Sequence, residues 1–169
     1  EDVAAAFQWL CARSGGGDFL VIRATGTDAY NPWVQELCPG VNSVATLIIR
    51  NVSGEPLYSE TYQPSQVMTL AQANTPAAMQ TALVEWLDPA SNTTIQTSSA
   101  LPEWPANADN PQNGEFPFYP ADGYTRDLYN QVRDANVPMY CYVQGMESMN
   151  CLALRDAALE SVGVQSFPG

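Results

Sequence analysis

The stretch Val44-Ala-Thr-Leu-Ile-Ile-Arg-Asn-Val-Ser-Gly-Glu-Pro-Leu-Tyr-Ser-Glu-Thr-Tyr62 decides the fold. Both halves are rich in β-branched and aromatic residues, which favour strands. Ser53-Gly54 separates the halves, and a short Gly-containing turn between two such runs is typical of a hairpin. The stretch therefore predicts an antiparallel hairpin with strands over residues 45–52 and 57–62.

The residues before the hairpin show a different pattern of apolar positions, in which helical and strand segments alternate. Residues 2–13 carry apolar side chains at helical spacing, and residues 19–22 form a short continuous apolar run. A polar loop and a second helical pattern over residues 30–37 lead into the apolar strand that opens the hairpin. Helix-strand-helix-strand is the order of a parallel α/β unit.

The residues after the hairpin predict helices and a final pair of strands. Helices are expected over residues 65–73, over residues 75–87 with Thr75 as the N-cap, and over residues 122–136. Between them, residues 88–123 are rich in Pro and Asn and predict a long loop. A strand over residues 139–143 precedes residues 151–164, which form either a strand pair turning at Asp156-Ala157 or, over 152–159, a helix.

The predicted fold is therefore α+β or α/β. It consists of a helix-strand-helix-strand N-terminal unit, an antiparallel hairpin, helices and a C-terminal strand pair. Residues 1–169 are expected to form a single compact domain, and the change of pattern places a subdomain boundary near residues 50–52.

The charged residues exclude several functions. The chain has 18 acidic and 6 basic residues, a net charge of −12 and no His. All its basic residues are Arg, so the Lys that a Walker loop or a Schiff-base enzyme needs is missing. A Ser-His-Asp triad is also excluded, because the chain has no His to act as its base. An acidic chain repels nucleic acid and anionic lipid. The apolar run over residues 44–49 is too short to cross a bilayer, so no membrane insertion is expected. No cofactor is predicted.

The four cysteines, Cys11, Cys38, Cys141 and Cys151, are even in number and lack C-x-x-C spacing. Two disulfides in an extracytoplasmic protein explain them, and buried free thiols are the alternative. The preferred pairs are Cys11–Cys38 and Cys141–Cys151, because each closes a local segment. Asn51 and Asn92 begin glycosylation sequons, but chance supplies about as many from this composition.

Two segments concentrate chemistry-bearing side chains. Residues 139–151 carry three Met and two Cys, which predict either a soft Cu(I) site or a disulfide-closed hairpin, and the hairpin is preferred. Residues 103–115 offer oxygen ligands at imperfect calcium spacing. The aromatic residues of this region instead predict either a platform for a glycan or protein strand or a loop held by its own rings. The candidate aromatic surface is Trp104, Phe116, Phe118 and Tyr119. No metal site is predicted, and acidic pairs for catalysis are too numerous to single out.

Residues 3–50 resemble the N-terminal part of the cyanophycinase-like serine peptidases. The resemblance rests on Val3-Ala-Ala-Ala-Phe-Gln-Trp-Leu10, on Ser14-Gly-Gly-Gly-Asp-Phe-Leu-Val-Ile-Arg-Ala-Thr-Gly-Thr-Asp-Ala-Tyr-Asn31 and on Asn42-Ser-Val-Ala-Thr-Leu-Ile-Ile49. It implies a doubly wound α/β fold and a Ser nucleophile acting on isopeptide-linked or acidic peptides. It also implies that the loop after the first strand lines the cleft. The residues carried over are Thr25, Gly26, Thr27, Asp28 and Asn31.

The rest of the chain departs from this family. It has no Gly-x-Ser-x-Gly elbow and no His to activate a serine. The sequence therefore favours a non-catalytic extracytoplasmic binding or structural domain, on a surface, in an envelope or in an assembly. Its expected partners are proteins, glycans or further copies of itself. The alternative is a cyanophycinase-like hydrolase that is degenerate or whose catalytic residues lie outside this chain.

Overall fold

The computed structural model describes residues 21–23, 44–113 and 116–167, and within them the fold is α+β. The hairpin predicted from residues 44–62 is present. Strands β2 (Ala45–Arg50) and β3 (Pro56–Tyr62) pair antiparallel, with Ala45 opposite Tyr62 and Ile49 opposite Tyr58. Strand β1 (Val21–Arg23) pairs parallel with β2, which completes a three-stranded sheet of order β1-β2-β3.

The hairpin turn depends on the Asn51 side chain. Its Oδ1 accepts hydrogen bonds from the backbone N–H groups of Ser53 at 3.0 Å and Glu55 at 2.9 Å. Its Nδ2 donates to the Glu55 carboxylate at 2.7 Å. An Asn side chain that holds the backbone ahead of it is a common way to fix a turn. Arg50 thus ends β2, and residues 51–52 lie in the turn between two paired strands of one sheet.

The prediction of a helix over residues 65–73 was wrong. The chain forms one short 3-10 turn, Pro64–Gln66, and then Val67 is extended. The N–H of Met68 donates to the carbonyl of Gly145 at 3.1 Å, a tertiary bond in place of a helical one. Val67 and Leu70 are buried, so packing determines this segment more than helical propensity does.

Both later helices form as predicted in type, although the second is shorter. Helix α1 (Pro76–Trp86) has Thr75 as its N-cap, whose Oγ1 accepts from the Ala78 N–H. Helix α2 (Arg126–Asp134) is capped by Thr125 in the same way and carries Asp127 in its first turn, where the helix dipole favours an anion. Residues 122–124 were predicted to be helical but precede the cap.

The prediction of a loop over residues 88–123 was wrong for three segments. They form β4 (Thr93–Thr97), β5 (Gln112–Asn113) and β6 (Phe116–Pro120). Pro117 and Pro120 suggested a loop because Pro has no N–H to donate to a sheet. Strand β6 nevertheless pairs with residues 163–165 near the C-terminus, and this pairing involves only three residues of β6. Local composition could not reveal that pairing.

The C-terminal strands form as predicted, and the alternative helix over 152–159 is absent. Strands β7 (Pro138–Val143), β8 (Ser148–Arg155) and β9 (Ala158–Ser166) follow one another. Asp156 and Ala157 both have positive φ, as a tight hairpin turn requires. With β4, β5 and β6 they form a six-stranded sheet of order β4-β7-β8-β9-β6-β5, in which every neighbouring pair is antiparallel.

Two cores cover the two faces of the large sheet. On one face, Tyr142 and Leu152 pack against the small sheet and α1, where Leu47, Leu83 and Trp86 are buried. The other face packs against α2. Its buried residues are Leu101, Phe118, Tyr129, Val132, Met139, Cys141, Cys151, Ala153 and Val162. Alternation along β7 produces this division, because successive side chains of a strand point to opposite faces.

Candidate functional site

An apolar cleft of about 380 Å³ lies between the small sheet and the large sheet. Leu47, Ile49 and Leu57 line its small-sheet side. Tyr140, Leu154 and Leu159 line its large-sheet side. The remaining lining residues are Leu87, Ile95, Pro138 and Met139. A concave space of this size with apolar walls is the usual form of a ligand site.

The mouth of the cleft is marked by Ile95 on β4. The Ile95 side chain is 79 % exposed although it stands directly opposite Tyr140 in the sheet. Most exposed apolar residues need no explanation, but one that continues an apolar cleft extends that surface to solvent. The cleft is therefore open at the β4 edge of the large sheet.

The lining offers one polar side-chain group, the hydroxyl of Tyr140. Burial raises the pKa of Tyr140, and so its hydroxyl is protonated at neutral pH. None of the lining side chains in the described part of the chain carries a charge. The arrangement can hold an apolar group, and it supplies no general base or nucleophile from its walls.

A tyrosine cluster of Tyr58, Tyr62 and Tyr142 fastens the two sheets together beside the cleft. The Tyr142 hydroxyl is 2.9 Å from the Tyr58 hydroxyl and also hydrogen-bonds the Tyr62 hydroxyl. Asn150 Nδ2 donates to the Tyr142 hydroxyl at 3.2 Å, and Asn150 Oδ1 accepts from Ser161 at 2.6 Å. The Tyr140 ring stacks on the Tyr142 ring at 5.8 Å, which joins the cluster to the cleft wall.

The tyrosine cluster is a neutral structural network. Burial is the largest cause that raises the pKa of Tyr142 and of Tyr62 far above the ordinary value of 10.0. Both hydroxyls stay protonated, and each finds partners within the cluster. A buried polar network whose members are satisfied fixes the relative position of the elements that contribute to it.

The sulfur-rich segment contains the predicted disulfide. Cys141 and Cys151 lie opposite each other in β7 and β8 and are joined. Both are buried, and neither can offer a thiolate to Cu(I). Met139 is buried, whereas Met146 is 48 % exposed, so these two thioethers lie in different surroundings. Over residues 21–23, 44–113 and 116–167, no group of three His, Cys, Asp or Glu side chains could hold a metal.

The four aromatic candidates do not form one surface. Phe118 was wrong as a surface residue, because it is fully buried against Tyr129. Trp104 is half-buried, donates its Nε1–H to the Ala108 carbonyl at 3.0 Å and packs on Tyr129. Phe116 and Tyr119 are 37 % and 50 % exposed. The rings of Trp104 and Phe118 hold their segment against α2, as one of the two interpretations of this region expected.

The acidic segment near Trp104 does not gather into a calcium loop in its described part. The Glu103 carboxylate faces Arg133 at 3.5 Å, and the Glu103 backbone pairs with Gln112.

The side-chain amides of both sequon asparagines are hydrogen-bonded within the protein. Asn51 Nδ2 donates to the Glu55 carboxylate, and Asn92 Nδ2 donates to the Glu85 carbonyl at 2.7 Å.

Several predictions fall outside the described residues. They are the helices over residues 2–13 and 30–37, the Cys11–Cys38 pair, and the binding-loop candidates Thr25, Gly26, Thr27, Asp28 and Asn31. None of the cleft-lining residues was among the candidate site residues predicted from the sequence. The available signal was the isolated Ile95 between threonines in Thr93-Thr-Ile-Gln-Thr97, a β-rich run inside a segment interpreted as loop.

The part of the chain that the structure describes has no helix with the length and hydropathy of a membrane span. Comparisons of the whole chain with protein-family models, with characterised proteins and with solved structures gave no match.

Proposed function

We propose that this protein is a non-catalytic, extracytoplasmic binding domain that holds an apolar group in the cleft between its two sheets. The cleft itself carries the proposal, because it combines a volume of about 380 Å³ with walls that bear no charge. Apolar walls with few polar groups are what a site for a hydrocarbon or aromatic group needs. The apolar group belongs either to a small molecule or to a side chain of a protein partner.

The extracytoplasmic location is supported by the Cys141–Cys151 bond. Disulfides persist in oxidising compartments and are rare where glutathione and thioredoxin keep thiols reduced. The acidic surface is compatible with this location but does not identify a ligand, since the net charge of −12 bears on solubility and on the charge of the partner.

The test is binding of a neutral fluorescent probe, N-phenyl-1-naphthylamine, which avoids repulsion by the acidic protein. We expect saturable binding to the unmodified chain and a loss of about tenfold or more in affinity for Ile95→Asp, because a carboxylate at the mouth replaces apolar contact. The matched control is Val84→Asp. Val84 is a β-branched side chain on α1, 71 % exposed and absent from the cleft lining.

Thermal unfolding of both variants establishes that they are folded. Equal probe affinity in the unmodified chain, Ile95→Asp and Val84→Asp contradicts the proposal, and so does the absence of saturable binding to the unmodified chain. A second candidate is a hydrolase related to the cyanophycinase-like peptidases, which the parallel pairing of β1 with β2 favours. Covalent labelling of the chain by a fluorophosphonate would support that hydrolase over the binding domain.

A further inference from the structure

Strand β4 forms one edge of the large sheet, and half of its backbone groups point away from β7. The N–H of Ser98 donates to Val137 at 2.8 Å and the N–H of Val143 donates to Asn92 at 3.2 Å. In an antiparallel pair the bonded positions alternate, so the even-numbered residues 92–98 face β7. The N–H and C=O of Ile95 and Thr97 therefore face outward, and no strand among the described residues pairs with them.

Among the residues that the structure describes, this edge lacks the features that usually prevent strand addition. Thr93–Thr97 contains no charge and no Pro, and its register with β7 is regular from end to end. Edge strands are normally protected by charged side chains, Pro, bulges or a covering element. The opposite edge of the same sheet is different, since β5 has two residues and the adjacent β6 contains two Pro. The β4 edge is a good template for one more strand.

The open edge and the cleft are adjacent. Ile95 belongs to both, because its backbone faces the edge and its side chain lines the cleft. A strand added to β4 would run roughly 4.8 Å from it, with every second side chain on the cleft face. A large apolar side chain opposite Ile95 reaches over it into the mouth. Backbone bonds at an edge with a side chain in a neighbouring pocket are one established way to bind a peptide.

Charge indicates which peptide fits. Glu85 and Asp88 precede β4. Asn92 Nδ2 donates to the backbone carbonyl of Glu85 at 2.7 Å, so Glu85, an exposed residue, lies near the start of the strand. No Arg lies within β4 or among the cleft lining. With a net charge of −12, the chain attracts basic peptides and repels acidic ones.

We propose that the β4 edge binds an extended basic peptide as an added strand and that the peptide inserts one large apolar side chain, opposite Ile95, into the cleft. This inference rests on the proposed function, because it names the partner of the same cleft. It adds the backbone edge of β4 to the binding surface.

The test uses a fluorescein-labelled heptapeptide that alternates lysine and valine and has phenylalanine at its central position. We expect the peptide with central phenylalanine to bind at least about tenfold more tightly than its serine counterpart and to displace N-phenyl-1-naphthylamine. A version with glutamate in place of lysine binds more weakly at low salt, and raising the salt concentration reduces this difference.

The edge is tested with Thr97→Pro, which removes an outward N–H. The φ of Thr97 is −107° and must turn toward about −65° for proline, so an unchanged unfolding temperature is required to show that the β7 bonds stay in place. We expect this variant to lose about tenfold or more of its peptide affinity while it still binds N-phenyl-1-naphthylamine. The proline control is Val52→Pro at the hairpin tip, where the Val52 side chain is fully exposed. Val52 is the second residue of a turn in which the Gly54 N–H donates to the Asn51 carbonyl at 2.9 Å, and this turn position favours proline.

A second measurement needs no protein variant. Methylation of one peptide nitrogen at a time should weaken binding at every second position, because only alternate N–H groups of an added strand face β4. Peptide binding that shows no such alternation and no response to Thr97→Pro overturns strand addition. Dimers that Thr97→Pro converts to monomers also overturn it, in favour of a second copy of the chain. If N-phenyl-1-naphthylamine binds but no peptide does, strand addition fails while the proposed function stands.

Discussion

Gly163 on β9 lies so close to β6 that no side chain fits between the two strands. A β-carbon at this position would meet the carbonyl oxygen of Tyr119, a ring carbon of Phe118 at 2.5 Å and the Cα of Pro120 at 2.8 Å. These atoms belong to β6, which pairs with β9 through Pro120 and Gly163. Two of the obstructing atoms are backbone atoms, so no rotamer change relieves the contact. A Gly inside a strand often marks such an approach.

We expect Gly163→Ala to lower the free energy of unfolding by about 3 kcal/mol, the upper part of the usual range for an overpacked site. The control is Gly145→Ala, whose new β-carbon would meet only the flexible Ser148 side chain, with Oγ at 2.6 Å. Urea denaturation measures both. A Gly163→Ala variant as stable as Gly145→Ala would show that β6 is not held against β9 in this way.

At the scale of elements, the disulfide joins β7 to β8 at a register that suits it. Cys141 and Cys151 are directly opposite, with Cα atoms 4.1 Å apart. The N–H of Gln144 donates to the Ser148 carbonyl at 3.0 Å. Hydrogen-bonded and non-hydrogen-bonded pairs alternate along the two strands, so Cys141 and Cys151 form a pair without backbone hydrogen bonds to each other. Such pairs bring side chains closest together. β7 thus hydrogen-bonds the exposed strand β4 on one side and is covalently held to β8 on the other.

We expect loss of this disulfide to lower the free energy of unfolding by roughly 2–3 kcal/mol, because the bond spans a sequence separation of 10 and limits the entropy of the unfolded chain. The comparison is between the unmodified chain and the double variant Cys141→Ala, Cys151→Ala, both without reductant. Denaturation by urea gives the difference. A double variant within about 1 kcal/mol of the unmodified chain would mean that the sheet alone fixes this pair of strands.

Elements with local signals were predictable from the sequence, and elements made by distant partners were not. Ser53-Gly54 and Asp156-Ala157 each separate strands that pair with their neighbours along the chain, and both hairpins form. Strand β4 has no such neighbour, since its partner β7 follows more than forty residues later. The Cys141–Cys151 bond was predictable because β7 and β8 are consecutive. The cleft was not, because Leu47 and Leu57 meet Leu154 and Leu159 only after both sheets have formed.

At the scale of the molecule, the contact between the two sheets is built from neutral groups, namely the hydroxyls of the tyrosine cluster, the Asn150 amide and the Trp86 indole. Trp86 donates its Nε1–H to the Val143 carbonyl at 2.5 Å, and its ring contacts those of Tyr62 and Tyr142. Trp86 and Tyr142 are fully buried. This contact depends on protonated tyrosines, since a tyrosinate would lose its donor and place a charge in this apolar setting.

We expect the free energy of unfolding to fall as pH rises above about 10, the pKa of tyrosine in an unfolded chain. Burial raises the pKa of Tyr62, Tyr129 and Tyr142 in the folded state. Above pH 10 the unfolded chain releases protons that the folded chain keeps, so stability declines with pH, whereas below that pH these groups add no pH dependence. The decline reaches up to about 1.4 kcal/mol per pH unit for each tyrosine.

Urea titrations between pH 8 and pH 11, with absorbance at 295 nm to follow tyrosinate, measure this decline. The absorbance of the buried tyrosines should rise together with the loss of structure. Equal free energies of unfolding at pH 8 and pH 11 would contradict the burial of these hydroxyls.

The tyrosine cluster also sets how thick a guest the cleft can take. Tyr58 and Tyr142 hold the sheets together through hydroxyls 2.9 Å apart, and Tyr140, stacked on Tyr142, forms part of the cleft wall. The two walls cannot move apart without breaking these hydrogen bonds, so the distance between them is fixed. For the proposed binding function, we therefore expect a flat ring or an unbranched chain to bind more tightly than a bulky branched group.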